Sequence, residues 1–322
     1  MSIWVICEGQ EGGYRASTLE LLSQARRLVG GAGGQVVAVA VGDEAAAAQA
    51  LRGAAHRVVA VQGPNLSPYA ADPWVGAVAG VLSAGAPRLV LFAEGTRTRE
   101  LLPRLAVRLG ASALTNALGL EADGEAFLLT RPAFGGKAYA TVRSGDRLCL
   151  AAFRPNSFDA GAEPVAETQF ETHQASPDPS RVEVLEKRPR ASARVPLTEA
   201  QRVVAGGRGL RAPENLKILE ELADVLGGAV GVSRAIVDAG WADHAIQVGK
   251  SGKTISPALY VVAGVSGAVH HTMGMDTAKV VVAVNADPKA PIFQYADYGI
   301  VGDALQVLPA LTAELRAVKR EA

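Results

Sequence analysis

The first half of the chain alternates short apolar runs with longer segments of helical periodicity. IWVIC, QVVAVAV, RVVAVQ and PRLVLFAEG are apolar for most of their length. The segment TRTRELLPRLAVRLG follows the last of them, and its Leu101, Leu105 and Leu109 recur at helical spacing. Runs that are apolar on both faces are typical of a parallel sheet covered by helices. The pattern predicts an α/β domain, with helices at about 14–29 and 73–82 and over DEAAAAQALRG.

The pattern changes before the middle of the chain. FLLTRPAF, KAYATVRS and RLCLAAF follow one another with glycine and charged residues between them, which predicts an antiparallel extension. From about Asp159 to Pro196, proline, serine and scattered charges dominate, and the segment is predicted to be a linker with RVEVLE as its strand. We therefore expect an N-terminal domain of residues 1–196 and a C-terminal domain of residues 197–322.

The second half resumes the alternation. RVVAGGRGL, AVGVS, PALYVVAGVSG and AKVVVAVN read as buried strands, while PENLKILEELADVLG and the closing VGDALQVLPALTAELRAVKR read as helices. The fold class predicted for the whole chain is α/β, with two domains that each contain a mainly parallel sheet flanked by helices.

Composition narrows the class of protein. The 322 residues include 32 basic and 32 acidic side chains, so no overall field favours nucleic acid or an anionic membrane. No uncharged run approaches the ~18 residues of a membrane helix, and the N-terminus enters a strand without a leader. Cys7 and Cys149 lie in apolar runs, as buried thiols in a reducing compartment do. These features predict a soluble, cytoplasmic protein that binds no nucleic acid and does not insert into a membrane.

The segment QVGKSGKT, residues 247–254, is one glycine short of a phosphate-binding P-loop. A P-loop needs a helix directly after its Lys-Ser/Thr pair, but Pro257 and the strand LYVVAG follow Thr254 too closely. We therefore reject a nucleoside triphosphatase. What remains is a loop whose backbone amides, Lys250, Ser251 and Lys253 suit a negative or electron-rich ligand.

Polar or glycine-rich residues follow the other predicted strands of this half. Taken singly, each has an ordinary explanation as a helix cap, a surface ion pair or a solvent-facing histidine. The carboxyl ends of parallel strands share a crevice, however, so together they predict a site large enough for a dinucleotide. These residues are Arg208, Ser233, Arg234, Gly264, Ser266, Gly267, His270, His271 and Asn285.

The segments GGRGL, GVSRAIVDAG, QVGKSGKTISPALYVVAGVSGAVHH and NADPKAPIFQYADYGIVGD closely resemble the FAD-binding domain of the electron transfer flavoprotein alpha subunit. The resemblance runs from near Val203 to the end of the sequence. WVICEG, TLELLSQARRL and RPAFGGKAYATVRS resemble the N-terminal half of the same family more weakly. The resemblance implies a Rossmann-like C-terminal domain that binds one FAD, and an N-terminal domain that packs on a beta subunit.

The resemblance also implies a function. The protein would form a heterodimer with the electron transfer flavoprotein beta subunit, which would itself hold AMP or a second FAD. It would carry electrons from acyl-CoA dehydrogenases of fatty acid beta-oxidation, and from related flavoenzymes, to the electron transfer flavoprotein-quinone oxidoreductase. No nucleophile-base pair or metal-ligand spacing indicates an enzyme. An electron-bifurcating flavoprotein and, in another class, a dinucleotide-binding hydrolase or deacetylase remain alternatives.

Family roles transfer to matching positions. Arg234 matches the arginine beside the flavin ring, where a cation stabilises the negative charge gained on reduction. His271 matches a histidine near the same ring edge, and Arg208 matches an arginine at the diphosphate. The resemblance further implies FAD contacts from the turn Ser266, Gly267 and Ala268, from Asn285 and Asp303 at the adenosine half, and from Ser233, Gln247, Val248, Gly249, Gly264 and Val269.

Three residues depart from the pattern common in the family. Lys250 and His270 replace glutamines, and Ser251 replaces a threonine while keeping a hydroxyl for flavin N5. An added cation at Lys250 favours negative reduced states, so its replacement by glutamine is expected to lower the flavin potential. His270 places a second titratable group beside His271.

Overall fold

The computed structural model describes residues 2–10, 12–30, 33–145, 148–186 and 195–321. They divide into an N-terminal unit, residues 1–189, and a C-terminal unit, residues 190–322. Each unit is built on one large parallel sheet with helices against it. The predicted α/β class is confirmed.

The N-terminal unit contains a seven-stranded parallel sheet of order β12-β5-β4-β1-β6-β11-β7 and a separate antiparallel sheet of order β10-β9-β8. Its strands are β1 Ser2–Ile6, β2 Gly9–Gln10, β3 Gly13–Tyr14, β4 Gln35–Val41, β5 Arg57–Gln62, β6 Leu89–Ala93, β7 Ser112–Ala117, β8 Gly119–Asp123, β9 Ala126–Ala133, β10 Ala138–Arg143, β11 Cys149–Phe153 and β12 Gln169–Gln174. Its helices are α1 Ala16–Gly30, α2 Ala71–Gly85 and α3 Thr96–Leu109. DEAAAAQALRG forms a 3₁₀ helix, Gly42–Leu51.

Both faces of the large sheet are buried, which is why its strands are apolar without alternation. In β1, Ile3 and Val5 pack under α1, whereas Trp4 and Ile6 pack under α2 and α3. Successive side chains of a strand point to opposite faces, so one apolar run supplies both cores. Cys7 and Cys149 are buried and free, and burial raises the pKa of each thiol.

The predicted antiparallel extension is wrong for one of its three strands. FLLTRPAF and KAYATVRS do form the antiparallel pair β9 and β10. RLCLAAF instead gives β11, which pairs in parallel with both β6 and β7 inside the large sheet. Every residue of β11 is buried, as an interior strand of a two-sided sheet requires.

The predicted linker begins too early. RVEVLE, residues 181–186, forms no strand, whereas β12 pairs in parallel with β5 at the edge of the large sheet. The Thr168 hydroxyl accepts from the Gly53 amide at 2.9 Å and donates to the Ala55 carbonyl at 2.8 Å. These bonds fix the segment before β12 to the N-terminal unit. Residues 187–194 of the predicted linker lie outside the described residues.

The C-terminal unit contains a five-stranded sheet of order β14-β13-β15-β16-β17, in which every pairing is parallel. Its strands are β13 Arg202–Gly206, β14 Ala229–Val232, β15 Leu259–Ala263, β16 Val280–Asn285 and β17 Tyr298–Val301. Its helices are α4 Leu216–Leu226, α5 Arg234–Asp238, α6 Val269–Thr272 and α7 Ala304–Glu321. Within the described ranges, no helix combines the length and the apolar character that crossing a membrane requires.

We expect Leu105→Ala to destabilise the N-terminal unit by about 2–5 kcal/mol, because it leaves a cavity under α3. Leu105 is fully buried, whereas Val107 on the same helix is 86% exposed. Val107→Ala is therefore the matched control and is expected to change the unfolding free energy by less than about 0.5 kcal/mol. Urea denaturation followed by the fluorescence of Trp4 and Trp74, both buried in this unit, checks the prediction. Equal midpoints for the two variants would contradict it.

Candidate functional site

A cavity of about 690 Å³ opens at the carboxyl ends of β13, β14 and β15. This volume lies in the usual range for small-molecule sites, and the position is the crevice in which open parallel sheets bind ligands. Many of the residues predicted from the sequence lie together in its wall. They are Arg208, Ser233, Arg234, Gln247, Val248, Gly249, Ser251, Gly264, Ser266, Ala268, His270 and His271.

Four wall residues were missed by sequence reasoning. They are Ala235, Asp238, Ala239 and Val265. The two alanines and Asp238 belong to α5 or follow it directly, so they enter the wall because Arg234 starts that helix. Asp238 could have been predicted from the sequence, because it lies four residues after Arg234 and so on the same side of the helix.

Five predicted residues lie outside the wall. The exposed Lys250 contributes a backbone bond, its amide donating to the His270 carbonyl at 2.7 Å, and Val269 is half exposed. The Asn285 side chain donates to the Val265 carbonyl at 2.9 Å, and so supports the loop after β15. Asp303 caps α7 at the Leu305 amide and pairs with Arg211 at 2.9 Å. The fifth is Gly267, in the turn before α6.

Two guanidinium groups give the cavity its positive charge. Arg208 follows β13, and Arg234 begins α5 after Ser233. The Arg234 Nε atom lies 3.2 Å from Asp238 Oδ2, and both side chains are about two-thirds exposed. Exposed ion pairs of this kind contribute little free energy, so the pair leaves Arg234 able to turn toward an anionic ligand.

Glycines let the loops of the site approach one another. Gly264 has a φ of +63°, and a Cβ on it would lie 2.7 Å from the Gly209 Cα. The Gly209 amide donates to the Gly264 carbonyl at 3.0 Å. The loop carrying Arg208 and the loop carrying Ser266 are therefore in backbone contact, which only residues without side chains permit.

The QVGKSGKT segment is a tight loop held by its own hydrogen bonds. The buried Gln247 donates from Nε2 to Ser251 Oγ at 2.9 Å, and the Gly249 amide donates to the Lys253 carbonyl at 3.1 Å. No helix follows before β15 begins at Leu259. The rejection of a P-loop is confirmed.

His271 and Tyr260 form a buried pair at the cavity. The Tyr260 hydroxyl lies 2.8 Å from His271 Nε2, and the two side chains are 0% and 7% exposed. Burial lowers the pKa of His271 to about 4, an effect that the nearby Val248 backbone partly offsets, and burial raises the pKa of Tyr260. His271 Nδ1 is buried and forms no hydrogen bond within the described structure. Tyr260 lies within an apolar strand, so nothing in the sequence pointed to this pair.

Models of known protein families match both halves of the chain. The electron transfer flavoprotein domain model matches residues 3–180, and the electron transfer flavoprotein FAD-binding domain model matches residues 196–276. An electron transfer flavoprotein subunit alpha from Bacillus subtilis is 36% identical over 97% of this chain and 96% of its own. The chain belongs to the electron transfer flavoprotein alpha subunit family.

Other relatives extend the comparison. An electron transfer flavoprotein subunit alpha from Syntrophomonas wolfei is 37% identical over 97% of this chain and 98% of its own length. The protein named FixB from Azotobacter vinelandii is 36% identical over 98% of this chain and 91% of its own. Electron transfer flavoprotein alpha subunits are electron-transfer proteins without substrate turnover, bind FAD and work with a beta subunit.

The residues of the cavity fit FAD. The two guanidinium groups suit a diphosphate and a ring that gains negative charge. The buried His271 Nδ1 forms no hydrogen bond of good geometry in the described structure, so it can bond to a ligand. Ser266 and Ala268 are exposed in the turn before α6, and their carbonyls already accept from the Ile292 and His271 amides at 3.1 and 2.8 Å, so a ligand would meet their amides.

Gly267→Ala is expected to distort the turn before α6 and lower the FAD content of the purified protein. Gly267 has a φ of +85°, and a Cβ there would lie 2.2 Å from the Ile292 amide nitrogen. Strain and overpacking together predict a loss of roughly 2–4 kcal/mol in the unfolding free energy of this unit. Urea denaturation read at Trp241, the single tryptophan of the C-terminal unit, measures it.

The matched control is Gly227→Ala. Gly227 also has a positive φ, of +64°, but a Cβ there meets only the Arg202 side chain at 4.0 Å. We expect a cost of about 1–2 kcal/mol from the backbone alone and unchanged FAD content. An equal effect of the two variants would show that contact with Ile292 is unimportant.

The buried His271 predicts a pH dependence of stability. Its folded pKa of about 4 lies below the ordinary value of 6.5, so the unfolded chain binds the proton first as pH falls. The contribution of the neutral His271 to the unfolding free energy is fully present above pH 6.5. It decreases as pH falls from 6.5 to 4, by up to about 3 kcal/mol. The unfolding free energy of the FAD-free chain is measured across this pH range by urea denaturation read at Trp241. We expect it to change less steeply with pH in His271→Gln than in the original protein. His173→Gln, in the N-terminal unit, should keep the original slope.

Proposed function

We propose that FAD occupies the cavity of the C-terminal unit, with its ring beside Arg234 and His271 and its diphosphate beside Arg208 and the turn of residues 264–268. The observation that carries this proposal is the meeting of both arginines with an unpaired buried nitrogen at one set of parallel strand ends. The adenosine half is assigned to the side of Asn285 and Asp303, beyond the cavity wall. We also propose that the FAD-binding domain comprises residues 197–322 and that the N-terminal domain, with its linker, comprises residues 1–196.

Bound FAD supplies the reversible uptake of electrons, and the side chains of the chain set how favourable that uptake is. Arg234 provides a positive charge that is more stabilising once the ring is reduced. The Ser251 hydroxyl, held by Gln247, offers a hydrogen bond to the ring. Lys250 is exposed and lies outside the wall, so we now expect its charge to act weakly through solvent.

We further propose a heterodimer with the electron transfer flavoprotein beta subunit, which the N-terminal unit contacts and which binds AMP or a second FAD. Electrons would come from acyl-CoA dehydrogenases of beta-oxidation and related flavoenzymes, and pass to the electron transfer flavoprotein-quinone oxidoreductase. The near-complete coverage of relatives named electron transfer flavoprotein subunit alpha supports this assignment. Two buried free cysteines support a reducing, cytoplasmic location.

Electron bifurcation is the second candidate function within the same family. Relatives named FixB are as similar in identity to this chain as those named electron transfer flavoprotein subunit alpha, so the names of relatives do not decide between the two functions. A dinucleotide-binding hydrolase or deacetylase is not favoured, because the chain belongs to a family of electron-transfer proteins. Co-purification with the beta subunit, followed by counting of flavin and adenine nucleotides, separates the two flavoprotein functions: two FAD per heterodimer favour bifurcation, and one FAD with AMP favours the simple carrier.

Arg234→Ala is expected to lower the one-electron midpoint potential of the bound FAD. Losing a charge-assisted contact of about 1.5 kcal/mol corresponds to roughly 60 mV for one electron. Spectroelectrochemical titration of the heterodimer measures the shift. Lys250→Gln removes a nearby charge outside the cavity wall and should shift the potential far less.

Two results would count against the proposal. If both variants titrate like the original protein, the cavity does not hold the ring beside Arg234. If the original heterodimer is colourless and takes up no added FAD, the site itself is wrongly assigned.

A further inference from the structure

The pair formed by Tyr260 and His271 links the core of the sheet to the cavity. Tyr260 projects from β15 and is fully buried, and its hydroxyl lies 2.8 Å from Nε2 of His271 on α6. His271 lines the cavity, whereas Tyr260 does not. Any effect of Tyr260 on a ligand must therefore pass through His271.

Counting donors and acceptors indicates whether Tyr260 or His271 Nε2 is the donor of the hydrogen bond between them. A neutral histidine has one donor and one acceptor nitrogen, and a phenol has one O–H to donate. Were Nε2 the donor, the Tyr260 proton would have no acceptor in the described structure, and Nδ1 would be an unpaired acceptor. If Tyr260 donates to Nε2, the Nδ1 proton alone lacks a hydrogen bond of good geometry, and the Val248 backbone beside the ring favours a protonated nitrogen. Because buried unsatisfied groups are costly, the second arrangement is favoured.

We propose that Tyr260 is a positioning residue that fixes His271 in the tautomer protonated on Nδ1, so that His271 presents an uncharged hydrogen-bond donor to the ligand in the cavity. This inference rests on the proposed function for the identity of that ligand. The group that His271 contacts must be an acceptor, such as a ring carbonyl oxygen or an unprotonated ring nitrogen. A ligand with an N–H group at that place would meet a second donor.

The ionisation of both groups agrees with this assignment. Burial lowers the pKa of His271 to about 4, so the imidazole is neutral at pH 7 in the free protein. Burial raises the pKa of Tyr260, so the phenol keeps its proton. Charge and hydrogen bonding are thereby divided between residues: Arg208 and Arg234 supply the cations, and His271 supplies a neutral donor.

The first experiment reads the tautomer directly. Histidine ring nitrogens are labelled with ¹⁵N in the full chain and in its complex with the beta subunit, and two-bond ¹H–¹⁵N spectra are recorded at pH 7. Comparison with His271→Asn assigns the resonances. We expect a protonated Nδ1 and an unprotonated Nε2 in the original protein, and a mixture of both tautomers in Tyr260→Phe. Tyr298→Phe, at a residue that is 66% exposed, should leave the spectrum unchanged.

Two results would overturn the proposal. One is a protonated Nε2 in the original protein, which can be read even if Tyr260→Phe does not fold. The other is an unchanged tautomer in a Tyr260→Phe protein whose circular dichroism shows a native fold.

The second experiment separates the two nitrogens by substitution. In His271→Asn the side-chain amide can place an N–H near the position of Nδ1, and in His271→Gln near that of Nε2. We expect His271→Asn to bind FAD about tenfold more tightly than His271→Gln, the equivalent of one retained hydrogen bond. His271→Gln, which can still accept from Tyr260, should be the more stable to urea.

Equal FAD affinity of the two variants would contradict a donor at Nδ1. Absence of FAD binding by the original heterodimer would instead remove the proposed function. In that case the tautomer measured in the free chain would still decide the role of Tyr260, so the two failures are distinguishable.

Discussion

The site depends on the parallel pairing of the strands in the C-terminal sheet. Because β13, β14, β15 and β16 all run in the same direction, the residues that follow them emerge at one edge. Arg208, Arg234 and Ser266 are far apart in the sequence, yet they meet there for this reason alone. An antiparallel partner anywhere among these strands would send one of the loops to the opposite edge and leave the cavity open on that side.

Burial divides the polar groups of the cavity into two kinds. The arginines are exposed, which makes them adaptable contacts for a diphosphate or a reduced ring. His271 is enclosed by β15 and the 247–253 loop, and the loss of hydration there favours the uncharged imidazole. A buried neutral group beside exposed arginines gives the site both a fixed hydrogen-bonding direction and a positive field.

Local pattern predicted more of the site than of the N-terminal sheet. Residues directly after apolar strands, such as Arg208 and Gly264, could be found because their position follows from the strand alone. Strand partners at long range could not be found: β11 looked like part of a meander, and β12 is polar because it lies at a sheet edge. Tyr260 was missed because a single hydroxyl in an apolar run carries no signal until its three-dimensional neighbour is known.

The contact between Gly209 and Gly264 has a consequence for how this protein can change over generations. In most packed positions an enlarged side chain can be accommodated when the neighbour becomes smaller. Here each glycine faces the backbone of the other, so no side chain on the facing residue can be shortened to make room. A substitution at either position therefore has no simple second-site suppressor, and we expect tolerated changes to fall on the residues on either side.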